Sequence, residues 1–245
     1  MTKNVDTRPD DYWDRAGLEG YAQAMYRSSD VEAHVRGRVW NVAIKIADSL
    51  GVESGARVLD VGCGDGDFAN QVLAPHYRAV DGIDKSVAAI QRAQATSRQN
   101  ADFRPVDLVS FDFDLLPRYD AAFLIGILHH VKQATPKIVK ALKQCTDKLV
   151  VLEPNGDNIV RKALEFTPAY RAAGEDSFRT EEVIEIFNAA GWRTVIHQRL
   201  NVFPNFTPSF VYRLLKPIEP KIEASDFWRA LCTVNMYGLT AMTAQ

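Results

Sequence analysis

The chain has 245 residues, 29 Lys and Arg against 31 Asp and Glu, a formal charge of −2 and 47% apolar residues. This composition excludes a disordered chain, a collagen-like fibre and a polycation built for phosphate backbones. Cys63, Cys145 and Cys232 are too few and too scattered for a disulfide framework or a zinc knuckle, which points to a reduced, cytoplasmic setting with no metal site. The start MTKNVDTRPDDYWDR lacks the basic patch and apolar run of an export signal. The greasiest stretches stop after about ten residues, short of the ~20 that cross a bilayer.

Residues 1–50 carry two helical patterns, around Tyr12 to Tyr26 and from Val31 to Leu50. In the second, Val39, Val42, Ala43, Ile46 and Leu50 share one face. The turn-rich run Gly51 to Gly55 ends it. Strand-like runs follow at Arg57 to Val61, Tyr77 to Ile83, Ala101 to Val106, Tyr119 to Ile125, Lys148 to Leu152 and Trp192 to Arg199. Helical patterns lie between them at Phe68 to Leu73, Val87 to Ala95, Pro136 to Gln144 and Glu181 to Ala190. The alternation predicts an α/β fold, a doubly wound and mostly parallel sheet with helices on both faces. Thr180 is expected to cap the last of these helices and Gly191 to end it.

From Asn201 to Asn235 the rhythm lapses, and Pro204, Pro208, Pro217 and Pro220 are interleaved with Phe203, Phe206, Phe210, Tyr212, Phe227 and Trp228. This reads as a cap inserted before a final strand at Met236 to Thr243. The expected division is a helical lid (1–50), a core (51–200), the cap (201–235) and the last strand (236–245), without internal repeats.

Val58 to Gly66 reads V-L-D-V-G-C-G-D-G. A buried strand ends at Val61, and three alternate glycines then permit a tight turn that brings bare backbone against a ligand. Asp84, at the tip of the second strand, is placed to accept from both hydroxyls of a ribose; its simpler role is a helix N-cap before Ser86. A dinucleotide fingerprint requires a small residue at position 67, where this chain has Asp67. Asp65 and Asp67 also set negative charge where a pyrophosphate would sit, so a cationic or zwitterionic ligand is expected.

These residues resemble the class I S-adenosylmethionine-dependent methyltransferases, most strongly over Arg57 to Leu152. The family's first motif is similar to Leu59 to Gly66, its ribose-binding acid to Asp84 and its adenine-side motif to Val106-Asp107-Leu108. Its fourth-strand motif is similar to Tyr119 to Val131, with a His-His-Val ending. The resemblance implies S-adenosyl-L-methionine as cofactor and a seven-stranded sheet whose last strand is antiparallel. It implies cofactor contacts from Asp60, Gly62, Cys63, Gly64, Gly66, Asp84, Lys85, Asp107, Leu108 and Gly126. Asp107 would accept from the adenine amino group and Leu108 would pack on the ring.

Methyl transfer from a sulfonium depends on alignment, and a base is needed only when the acceptor must lose a proton. His130, then His129, are the candidate bases at the sheet's carboxyl edge, although one of them could instead hold a loop carbonyl. Glu153, Asn155, Asn158 and Arg161 follow the fifth strand and are candidate acceptor contacts, or equally a polar turn with caps. Among Tyr12, Trp13, Tyr21 and Tyr26, the lid candidates that would cover the cofactor are Tyr21 and Tyr26, against a simple packing role. His34 and Arg36 read as acceptor contacts or a solvated face, and His76 as structural.

The cap permits a hydrophobic acceptor pocket, a homodimer surface or a peripheral membrane contact, in that order. No basic stripe supports a nucleic-acid partner. The expected activity is methylation of a small molecule, on oxygen before nitrogen and carbon. The rivals are an NAD(P)-dependent oxidoreductase and a non-catalytic cofactor-binding protein.

Overall fold

The computed structural model describes residues 20–172 and 175–242; Tyr12 and Trp13 lie outside them. The strands are β1 (Arg57–Val61), β2 (Ala79–Asp84), β3 (Ala101–Pro105), β4 (Ala121–Ile125), β5 (Lys148–Pro154), β6 (Trp192–Leu200) and β7 (Val234–Ala241). They form one sheet in the order β3-β2-β1-β4-β5-β7-β6. β1 to β5 run parallel, and β7 is antiparallel to both β5 and β6. Successive residues of the central strands serve opposite layers: Val58, Ala121 and Phe123 pack in one core, while Leu59, Ala122 and Leu124 pack in the other. Burial on both faces explains why these strands read as continuous apolar runs.

The helices are α1 (Tyr21–Met25), α2 (Ser29–Ser49), α3 (Val87–Ala95), α4 (Thr135–Ala141), α5 (Ile159–Glu165), α6 (Pro168–Ala172), α7 (Thr180–Ala189), α8 (Ser209–Leu215) and α9 (Glu219–Ala224). On α2, Val31, Val35, Val39, Ala43 and Ile46 form the buried stripe. Ser86 caps α3, its hydroxyl accepting from the Ala89 amide at 3.3 Å. The segment after the glycine loop is a π-type turn over Ala69–Leu73 that runs into Ala74–His76.

Three local expectations shift. Arg179, not Thr180, holds the N-cap position of α7, and Glu182 accepts from the Arg179 amide. The Thr180 hydroxyl instead accepts from Arg199 Nη2 at 2.9 Å. β2 begins at Ala79 because Tyr77 closes the preceding turn, its amide donating to the Leu73 carbonyl. β7 begins two residues before the expected Met236 and pairs along its whole length. Gly191 does follow α7 with φ +84°, as a residue in the left-handed region should.

The segment expected to form a cap is tied to α2. His34 Nε2 lies 2.6 Å from Glu219, Arg38 takes both Glu223 oxygens at 2.8 and 2.6 Å, Arg213 takes Asp30, and the Ser28 and Ser209 hydroxyls share a hydrogen bond. His34 is thus a tie between two elements. Among the described residues, no helix is long and apolar enough to cross a membrane.

Candidate functional site

In this sheet order the chain reverses direction on either side of β1, so the carboxyl ends of β1 and β4 open a crevice, the place where such sheets bind ligands. The glycine loop lines it. The Gly62 and Cys63 amides both donate to the Ile83 carbonyl, at 2.8 and 3.0 Å, pinning the turn to β2. Gly64 has φ +55°, and a Cβ there would stand 2.3 Å from the Tyr21 ring. Glycine therefore lets the α1 aromatic lie against bare backbone. The Tyr21 amide donates to Asp65 Oδ2 at 2.9 Å, which fixes the start of α1 over the loop. Asp67 pairs with Arg36, which also takes Glu32. The charge expected to repel a pyrophosphate at this helix start is thus partly neutralised, and Arg36 has a structural partner.

Asp84 Oδ2 accepts from the Gly64 amide at 3.0 Å and Oδ1 from the Ser86 amide at 2.9 Å. The cap of α3 is Ser86 itself, so Asp84 orders loop and strand tip together. Asp60 is 1% exposed and its Oδ2 has no hydrogen-bond partner. Burial, with Asp84 nearby, pushes its carboxyl up to about 8. Burial also pushes the Cys63 thiol up, and the Tyr26 phenol to about 12.

A cavity of about 720 Å³ extends from this loop. Asp60, Gly62, Cys63, Gly64, Asp84 and Lys85 line it, as do Asp107, Leu108, Gly126, Tyr21 and Tyr26. Asp107 forms a turn with the Val109 amide at 3.0 Å, and Leu108 is 5% exposed. Gly66 does not line the cavity; a Cβ there would meet Ala93 at 2.6 Å, so it sets the packing of α3 on the loop.

The far end of the cavity is reached by His129, His130, Asn158 and Arg161. Glu153 and Asn155 are not among its walls. Glu153 is turned inward, accepting from the Leu128 and His129 amides at 2.9 and 3.2 Å and lying 2.9 Å from His129 Nδ1. Asn155, fully buried, donates to the Cys232 carbonyl at 2.8 Å. Asn158 caps α5, with Oδ1 accepting from the Val160 and Arg161 amides, and also donates to the Leu231 carbonyl. These three side chains are consumed by the loop they hold. Arg161 pairs with Glu175.

Burial pushes His130 down to about 2, helped by His129, Arg161 and Lys85. It stays neutral, and an imidazole so far below neutral pH is a poor proton acceptor. His129 is braced through Nδ1 by Glu153.

Sequence reading missed Leu164, Tyr170, Glu175, Leu231 and Val234, which complete the far walls together with Phe203. Val160 and Leu164 stand four apart on α5, a spacing that was legible; Glu175 belongs to no pattern at all.

A methyltransferase-domain family model matches residues 40–198, well over half of the chain. Among curated proteins, a tRNA U34 carboxymethyltransferase of Methylococcus capsulatus is 30% identical over 111 residues, which are 44% of this chain and 32% of that protein. One of Shewanella sediminis is 36% identical over 76 residues, 30% of this chain and 23% of that protein. The chain spans about a third or less of the length of these relatives.

Among solved structures, the [4+2]-cyclase SpnF is similar with TM-score 0.67 and 17% identity, over 96% of this chain and 95% of that one. Magnesium protoporphyrin IX methyltransferase of Synechocystis, with bound SAH, gives 0.61 and 14%, over 94% and 97%. At such identity these likenesses speak for the fold alone. With the matched family model, the seven-stranded order and the glycine loop, this chain belongs to the class I S-adenosylmethionine-dependent methyltransferases.

Proposed function

We propose that this chain moves a methyl group from S-adenosylmethionine to a small-molecule acceptor, on oxygen in preference to nitrogen or carbon. When bound, the cofactor supplies an electrophilic methyl on a sulfonium sulfur. Everything else falls to the residues of the chain. The orphaned, buried Oδ2 of Asp60 suits an ammonium group, since an unpaired buried polar atom costs about 1 to 3 kcal/mol until it finds a partner. Asp84, at the tip of β2 beside the glycine loop, is the residue for ribose hydroxyls, and Asp107 with Leu108 is the pair for adenine. Tyr21 and Tyr26 close over the loop and exclude water.

The observation that carries the reading of the acceptor is the lining of the cavity. Leu164, Phe203, Leu231 and Val234 make its far walls apolar. Six carboxyl groups line it (Asp60, Asp65, Asp67, Asp84, Asp107, Glu175) against three cations (Arg36, Lys85, Arg161). That balance favours a compact, largely apolar acceptor and disfavours an RNA backbone. Holding acceptor and methyl in line supplies ~7 kcal/mol or more of barrier reduction. A hydroxyl acceptor would lose its proton toward the wall where Glu153 braces His129.

The test is incubation with methyl-labelled S-adenosylmethionine and parallel panels of phenols, carboxylic acids, amines and bulk RNA, read by mass spectrometry. Label in a phenol or carboxylate is expected. Label confined to RNA overturns the acceptor class, and cofactor binding without label in any panel favours a non-catalytic role.

A further inference from the structure

Beyond the cofactor end, the cavity wall gathers His129, His130 and Glu175, whose ligand atoms lie within 4.8 Å of one another. His129 Nδ1 is 2.9 Å from Glu153. A carboxylate only accepts, so Nδ1 donates to Glu153 and Nε2 is the ring nitrogen on the Glu175 side. His129 Nε2 lies 3.6 Å from Glu175 Oε2. That separation is longer than a hydrogen bond.

Two ligands bound to one ion at ~2.1 Å, at the tetrahedral angle, stand ~3.4 Å apart. The His129 to Glu175 spacing is close to that. The His130 ring lies against His129 with centroids 3.9 Å apart and brings a second imidazole to the same point. Glu153, 1% exposed, occupies the outer position from which a carboxylate orients a metal-binding histidine. Arg161 is the resident cation on Glu175, with Lys85 also near His130. Arg161 Nε also lies 3.4 Å from Glu165, so the guanidinium has a second carboxylate to take when an ion claims the first.

We propose that His129, His130 and Glu175 bind one divalent first-row transition-metal ion, with its remaining coordination positions open to the acceptor chamber. Two imidazoles and one carboxylate suit Zn²⁺, Co²⁺ or Fe²⁺ better than Mg²⁺ or Ca²⁺, which prefer all-oxygen shells. The site departs from the sequence expectation of no metal because Glu175 is remote from the histidines in the chain. It refines the proposed acceptor wall: an acceptor oxygen on such an ion would lose its proton more readily, without help from His129.

The experiment titrates Co²⁺ into the chelator-treated full-length protein, with neither methyl donor nor acceptor present, and follows the visible ligand-field bands. Bands of nitrogen-ligated cobalt should saturate at one ion per chain and be displaced by Zn²⁺. His130→Ala, with unchanged circular dichroism, should abolish them, and Glu153→Gln should weaken affinity by about 10- to 100-fold. Anomalous diffraction from a cobalt-soaked wild-type crystal should place the ion among the three side chains, whatever the variants do. Absent bands, an unaltered titration in His130→Ala, or an ion found only at a surface pair such as His76 and Asp48, 3.6 Å apart, would overturn the proposal. Because no donor or acceptor is used, either result leaves the methyl-transfer reading to its own test.

Discussion

Glu153, at the end of β5, receives the backbone amides of Leu128 and His129 at 2.9 and 3.2 Å, and its Oε2 lies 2.9 Å from His129 Nδ1. One buried carboxylate therefore sets the turn that ends β4 and the orientation of the histidine that follows it. Glu153→Gln keeps the shape but loses the charge, and hydrogen bonds to charged groups contribute about 1.5 to 3 kcal/mol each. A loss of about 2 to 3 kcal/mol in urea unfolding is expected, with affinity for S-adenosylhomocysteine little changed. A variant as stable as the parent would show that the turn does not rely on this residue.

Asp84 faces the place expected for the ribose while holding Gly64 and Ser86. Asp84→Ala should weaken S-adenosylhomocysteine by ~1 to 3 kcal/mol, roughly 5- to 150-fold, through lost charge-assisted hydrogen bonds. Isothermal calorimetry decides it; an unchanged dissociation constant would remove Asp84 from the site.

Gly64 combines φ +55° with the Tyr21 ring 2.3 Å from where a Cβ would be. Gly64→Ala should displace α1 and abolish measurable cofactor binding. Gly37, a helical position with nothing within 4 Å of its Cβ, is the control: Gly37→Ala should bind as the parent does. Equal affinities in the two variants would contradict the role given to the loop.

Asp60 yields a pH signature. Its carboxyl, normally at 3.8, is raised to about 8 in the folded protein by burial and then by Asp84. Between those values the unfolded chain has released the proton while the folded chain keeps it, so stability falls as pH rises across the window and levels off above about pH 8. Asp60→Asn should flatten that slope, gaining on the parent by a few kcal/mol at most between about pH 5 and pH 8. Urea midpoints of the ligand-free proteins at the two pH values measure this; parallel slopes would mean that Asp60 is ionised in the fold.

How far the sequence could be read follows from what each feature depends on. β1, β4 and the Asp84 tip were legible because a strand buried on both faces must be apolar throughout and a turn this tight must use glycine. The inward rotation of Glu153 and Asn155 was not legible: a polar residue at a strand tip looks alike whether it meets an acceptor or the next loop. The ties from His34 to Glu219 and from Arg38 to Glu223 span 185 positions each, and no local pattern encodes a partner so distant. Glu175 escaped for the same reason, since only the fold brings it to His129.

The most direct measurement is a calorimetric titration of the wild-type protein with S-adenosylhomocysteine, run beside one with NADH. One site per chain for S-adenosylhomocysteine, lost in Gly64→Ala and weakened in Asp84→Ala, with no heat from NADH, is the predicted result. Saturable binding of NADH with no response to S-adenosylhomocysteine would contradict it.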